Sequence, residues 1–181
     1  PVLRTGIDST VYYIDFSFDK LKLGGSAFAQ SLDKIGKEVP TVQDSEYFAN
    51  AFNAVQELIN KELILAGHDI SAGGMITTML EMNFANTEGG LEVSLDEIPE
   101  KDLVKILFSE NPGILIQVEK TDEVEKILKK AGVAFIRLAR PCDERHLLIH
   151  KDGADYQFFI DHLRDVWFES SYLLDCKQSG E

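Results

Sequence analysis

The sequence predicts an α/β (α+β) fold, a mixed twisted sheet covered by helices, and three observations carry that expectation. Segments of strand composition alternate with segments of helical apolar spacing, short turns separate them, and no low-complexity stretch or long linker interrupts the alternation. With 181 residues, 44% of them hydrophobic and 27% charged, the chain can bury a sizeable core, and residues 1–181 read as a single domain.

Val11-Tyr12-Tyr13-Ile14-Asp15-Phe16 has strand composition, and the turn Lys22-Leu23-Gly24-Gly25-Ser26 leads into a helix carrying Phe28, Leu32 and Ile35 that Gly36 stops. After a polar loop through Pro40, Phe48, Phe52, Val55, Leu58 and Ile59 recur at helical spacing and suit a helix lying on the sheet. Leu63-Ile64-Leu65-Ala66 reads as a buried strand and Met75 to Met82 as a helix. Leu91-Glu92-Val93-Ser94-Leu95 alternates as a strand does, and a helix through Leu103 and Leu107 follows. Gly113 to Val118 is the next strand, Asp122 and Glu125 suit the start of a helix that Gly132 ends, and Ala134 to Leu138 is a strand again. His146 to His150 and Tyr156 to Ile160 flank Asp152-Gly153, a pair suited to a hairpin turn, and the tail from His162 through Leu174 is helical.

Composition excludes several functions. A net charge of −13 and a pI near 4.7 oppose a phosphate-tracking surface, so no nucleic-acid partner is expected. The apolar runs are too short and interrupted to span a membrane, and the start Pro1-Val2-Leu3-Arg4 carries no signal peptide, so the chain reads as a piece of a larger cytoplasmic protein. Cys142 and Cys176 form no Cys-x-x-Cys pair and read as free thiols without a catalytic role. His146 and His150 share a strand face but lack an adjacent carboxylate or third ligand, and receive no chemistry.

The most informative segment is His68-Asp69-Ile70-Ser71-Ala72-Gly73-Gly74, between an apolar run and a helix. Ser71 suits the cap of that helix, the glycines leave N–H groups open to an anion, and the helix dipole favours negative charge there. Asp69 would repel a bare phosphate, so its chemistry suits Mg²⁺ held between the carboxylate and the phosphate oxygens of a nucleotide. Gly24-Gly25-Ser26 offers a second helix mouth of the same kind. The nucleotide- or phosphate-binding candidates are therefore Gly24, Gly25, Ser26, His68, Ser71, Gly73 and Gly74, with Asp69 as metal ligand. The alternative from the residues alone is a pair of strand-to-helix turns in which the glycines only permit tight packing and His68 is a hydrogen-bonded core residue.

Leu23-Gly24-Gly25-Ser26-Ala27-Phe28-Ala29-Gln30, Ala66-Gly67-His68-Asp69-Ile70-Ser71-Ala72-Gly73-Gly74, Leu80-Glu81-Met82-Asn83-Phe84-Ala85 and Phe108-Ser109-Glu110-Asn111 occur in an order that resembles the formylglycinamide ribonucleotide amidotransferases. The resemblance is narrower still to the C-terminal subdomain of their aminoimidazole ribonucleotide synthetase-like module, and the ending Trp167-Phe168-Glu169-Ser170-Ser171-Tyr172 resembles the segment closing its second copy. It implies a larger enzyme that uses ATP and glutamine-derived ammonia to convert formylglycinamide ribonucleotide into formylglycinamidine ribonucleotide. It further implies an auxiliary nucleotide–Mg²⁺ site with Asp69 on the metal and Ser71 on the nucleotide or the metal shell, and His68 orienting the motif rather than acting as a base. A preceding synthetase-like subdomain and a downstream glutaminase domain would adjoin it, and no residue of this stretch would be catalytic by itself. The family commonly has Asp where this chain has Ala72, which puts one carboxylate contact in doubt. Two other readings stay open: half of a stand-alone synthetase with a working ATP site, and a structural domain whose ligand motif has decayed.

Overall fold

The computed structural model describes residues 1–180, apart from the side chain of Ser170. In chain order the elements are β1 (Thr10–Asp15), α1 (Ala27–Ser31), α2 (Ser45–Asn60), β2 (Ala66–Asp69), α3 (Gly74–Phe84), β3 (Gly90–Ser94), α4 (Leu103–Phe108), β4 (Gly113–Val118), α5 (Thr121–Lys130), β5 (Phe135–Cys142), β6 (His146–Lys151), β7 (Ala154–Phe159) and α6 (Ile160–Ser179). The strands form one sheet in the order β2-β4-β1-β5-β3-β6-β7. Only β3 with β6 is parallel, so the sheet is mixed, as expected.

Strand alternation divides the interior into two cores. Val11 and Tyr13 of β1 and Leu115 of β4 face a core built with Met75, Met79 and Met82 of α3, Ile106 and Leu107 of α4, and Ile160 at the start of α6. Tyr12, Ile14, Ile116 and Val118 face the opposite core, built with Ala51, Ala54, Val55 and Leu58 of α2 and Val124, Ile127 and Leu128 of α5. Covering on both faces is why β1 is apolar almost without interruption. At the other end β3, β6 and β7 are covered on one face only, so Glu92 and His150 look outward from the other.

Two elements differ from the sequence expectation for physical reasons. Helix α1 ends at Ser31, because Asp33 adopts φ 55° and Lys34 N–H turns back to Ala29 O at 2.9 Å, leaving Leu32 and Ile35 exposed. Strand β2 begins at Ala66 rather than Leu63: it is an edge strand that pairs its polar end with β4, Gly67 opposite Ile116 and His68 opposite Leu115. The hairpin at Asp152-Gly153 forms as expected, with both residues at positive φ. It brings Asp155 Oδ1 to 2.6 Å from His150 Nδ1, so the expectation that His150 lacks an adjacent carboxylate is corrected. Both cysteines are free.

One polar cluster ties α5 to the sheet. Glu125 accepts from Tyr12 Oη at 2.9 Å, Lys129 Nζ at 2.8 Å and Arg137 Nε at 2.7 Å. The Lys129 bond, joined by Arg137 and Tyr12, outweighs desolvation and pulls the Glu125 carboxyl down to about 2. Glu125→Gln is expected to cost on the order of 1–3 kcal/mol at neutral pH. A depressed folded pKa gives stability that is present above the ordinary carboxylate value and lost as pH falls toward about 2. Urea titrations at pH 7 and pH 3 check this, the gap between wild type and variant narrowing at the lower pH.

Candidate functional site

Two glycine turns open helices, and their donors are used differently. In the first, Gly24 N–H donates to Glu38 O at 2.8 Å, Gly25 N–H to Ile35 O at 2.6 Å and Ser26 N–H to Leu23 O at 3.2 Å. The Ser26 hydroxyl, fully buried, caps α1 by accepting from Ala29 N–H and itself donates to Leu23 O at 2.7 Å. A Cβ on Gly24 would lie 2.2 Å from Glu38 O, so glycine is required by the close approach of the returning loop. The expectation that Gly24, Gly25 and Ser26 offer free donors to phosphate is thereby corrected: the loop over the turn has taken them.

The second turn is more open. Ser71 and Ala72 are exposed, and the cap position of α3 is Gly73 at φ 89°, with no side chain capping the helix. Ser71 is therefore not the expected N-cap. It lies two residues too early, and two successive left-handed glycines turn the chain between it and the helix. Gly74 N–H closes a turn on Ser71 O at 3.0 Å. A Cβ on Gly74 would meet Leu107 O at 2.7 Å and the Phe108 backbone at 2.8 Å, so both space and φ exclude a side chain there.

One carboxylate joins the turns. Glu110 Oε1 accepts Ala27 N–H, at the start of α1, at 2.7 Å and Gly73 N–H, at the mouth of α3, at 2.8 Å. An ionised carboxylate is the group that helix-opening amides favour. Its neighbour Asn111, 1% exposed, donates to Ser17 Oγ and Lys20 O, both at 3.1 Å, and accepts Lys22 N–H at 3.3 Å. Sequence reading assigned no role to Glu110, although Phe108-Ser109-Glu110-Asn111 stood among the motifs. The available signal was an acid between small polar residues, just past the end of α4 and ahead of a buried strand, with no helix of its own to cap.

His68 and Asp69 stand apart from that junction, on β2. Alternation sends His68 toward α3, where Nε2 lies 3.1 Å from Glu81 Oε2 while Nδ1 lies 2.8 Å from Asp69 O. Both ring nitrogens thus face acceptors, which suits a side chain that fixes the strand end. The Asp69 side chain is 77% exposed and borders a groove of about 370 Å³ lined by Phe16, Phe52, Ile59 and Ile114. Among the described residues no three His, Cys, Asp or Glu side chains gather as a metal site. One exposed carboxylate instead fits the usual Mg²⁺ mode, one or two protein carboxylates with phosphate oxygens and retained waters. The structure therefore links the Gly24-Gly25-Ser26 turn, through Ala27, to Gly73 by way of Glu110, and leaves His68 and Asp69 on the strand end with Ser71 in the segment between.

The sequence profile of the family described as AIR synthase related protein, C-terminal domain, matches residues 10–147. The chain belongs to that family. Among its relatives, a probable phosphoribosylformylglycinamidine synthase of Arabidopsis thaliana, described as chloroplastic/mitochondrial, is 35% identical over 177 residues, covering 96% of this chain and 12% of its own length. The phosphoribosylformylglycinamidine synthase of Homo sapiens is 31% identical over 173 residues, covering 92% of this chain and 13% of its own length. The chain thus spans about one-eighth of these relatives. Of solved structures, T. maritima PurL complexed with ATP superposes with a TM-score of 0.68 at 15% identity, over 90% of this chain and 27% of that one. The same protein complexed with FGAR gives 0.65 at 19% identity, over 90% and 28%. These likenesses establish the expected fold, and the family resemblance read from the motifs holds along nearly the whole chain.

Glu110→Ala should release both turns: amide exchange is expected to speed up at Ala27 and Gly73 while the amides of β1 stay protected. Gly74→Ala, strained in φ and pressed against the end of α4, should destabilise by about 1–3 kcal/mol in thermal or urea unfolding.

Proposed function

We propose that this chain is a single C-terminal synthetase-like domain, from the second such module, of a phosphoribosylformylglycinamidine synthase, the ATP- and glutamine-dependent ligase that makes formylglycinamidine ribonucleotide. Within it the end of β2 and the mouth of α3 support a nucleotide with Mg²⁺. The observation that carries this reading is the pairing of an exposed carboxylate, Asp69, with the mouth of α3 four residues on, where the cap residue Gly73 has no side chain to bond the amides that open the helix. Its family setting adds support, since related structures are titled as PurL complexes with ATP, ADP and AMPPCP.

On this reading Asp69 holds the metal, Ser71 reaches the nucleotide or the metal's waters, and Gly73 and Gly74, their own amides bonded to Glu110 and Ser71 O, turn the chain so that α3 opens beside them. His68 holds the strand end, and Gly24, Gly25 and Ser26 act through the loop they anchor. Bound Mg²⁺ would offset phosphate charge beside Asp69. Ala72 contributes no carboxylate, so the site relies on one acid where the family has two. The domain supplies no catalytic residue of its own.

The adjoining partners are other parts of the same polypeptide, a preceding synthetase-like subdomain and a downstream glutaminase domain. Helix α6 supports this, because Trp167, Phe168, Tyr172, Leu173 and Leu174 are each more than half exposed. Among the described residues no helix is long and apolar enough to cross a membrane, and a cytoplasmic setting belongs to this proposal.

Calorimetric titration of ADP with and without Mg²⁺, on the chain joined to its preceding subdomain, tests the site. Asp69→Asn should weaken Mg²⁺-dependent binding on the order of tenfold and leave magnesium-free binding unchanged. Equal behaviour of variant and wild type would remove Asp69 from this role and favour a purely structural domain.

A further inference from the structure

A second region carries a ligand signature that the strand-end site does not use. Between α1, the loop at 32–38 and α4 lies a cavity of about 690 Å³, within the range of small-molecule sites. Four lysines border it, Lys22, Lys34, Lys37 and Lys105, against one carboxylate-bearing residue, Glu38. In a chain of net charge −13 such a gathering of cations stands out. Lys22 is committed to Asp19 at 2.6 Å. Among the described residues no ion pair involves Lys34, Lys37 or Lys105.

The floor is apolar and partly flat. Leu23, Phe28, Ala29 and Leu32 line it, and Phe28 is held by stacking on Phe108, with ring centroids 4.6 Å apart. The loop bearing Lys34 and Lys37 is also fixed in place. Gly24 N–H to Glu38 O, Gly25 N–H to Ile35 O and Lys34 N–H to Ala29 O hold it, and a Cβ on Gly36 would come within 2.9 Å of Gly24 Cα. Backbone lies directly on backbone there, so the donors that the glycine turn withholds from phosphate serve to hold a basic rim above an apolar shelf.

We propose that this cavity binds a phosphorylated small molecule bearing a flat apolar group, a nucleoside diphosphate being the simplest case. The phosphates meet Lys34, Lys37 and Lys105, and the flat group lies on Leu23, Phe28 and Leu32. Asp69 and Ser71 line no part of this cavity, so the inference does not rest on the nucleotide–Mg²⁺ site above.

The test is lysine acetylation read residue by residue by mass spectrometry on the 181-residue protein, with millimolar ADP, pyrophosphate or adenosine at matched ionic strength. ADP should slow acetylation of Lys34, Lys37 and Lys105 several-fold and leave Lys126 and Lys130 of α5 unaffected. It should do so at lower concentration than pyrophosphate, while adenosine gives little protection. The K34Q/K37Q/K105Q variant, which removes only surface charge, should fold with an unchanged melting temperature and bind ADP about tenfold more weakly. Asp69→Asn should leave this protection intact, which separates failure here from failure at the strand end. Unchanged acetylation with ADP, or equal ADP affinity in the triple variant, would overturn the proposal. Protection by pyrophosphate as strong as by ADP would overturn the assignment of the flat group.

Discussion

The bond pair made by Glu110 is the constraint on which the end of the fold that carries both glycine turns depends. A single carboxylate oxygen accepts the amide opening α1 and the amide at the mouth of α3, residues 83 and 37 positions away in sequence. Helix-opening amides attract an anion, and this chain supplies one from within. The anion locks two turns together and fixes which donors remain for anything else. Asn111, buried beside it, extends the same junction to the loop after β1.

From that junction follows a division of labour. At the Gly24 turn every amide is consumed in holding the returning loop, so chemistry there has to come from side chains that the loop displays. At the Gly73 turn the Gly73 and Gly74 amides are consumed, but Gly73 has no side chain to cap the helix behind them, so the opening of α3 can still act on an anion. Asp69 sits on the adjoining edge strand with its carboxylate in solvent, while His68 faces inward to Glu81 and ties the strand end to α3. The glycines are required because backbone meets backbone: at Gly24 against Glu38, at Gly74 against the end of α4. A side chain at either point would open the junction.

Much of the fold was legible because burial on both faces writes itself into apolar periodicity. The central strand, the long amphipathic α2 and the Asp152-Gly153 hairpin follow from spacing and turn chemistry alone. Where reading failed, a longer-range interaction had won. Leu32 and Ile35 are spaced for a helix, but a left-handed Asp33 and the loop's bonds to the Gly24 turn end α1 early. The polar end of β2 carries no apolar signal, yet pairing with β4 makes it a strand. Ser71 looked like a cap because serine before glycines usually is one, and only the positive φ of Gly73 and Gly74 displaces it. Glu110 was invisible as a connector because nothing local marks a carboxylate that bonds amides in two distant turns. Of the site, the motif residues were legible and their grouping was not.

The central claim is that the opening of α3 and the end of β2 together face a metal-bound nucleotide. Paramagnetic mapping with Mn²⁺ and ADP on isotopically labelled protein tests it most directly. The account predicts selective broadening of the amide signals from Asp69 through Met75 when metal and nucleotide are both present, with the amides of α5 much less affected. Broadening that ignores the nucleotide, or that centres on carboxylates elsewhere on this acidic surface, would contradict it.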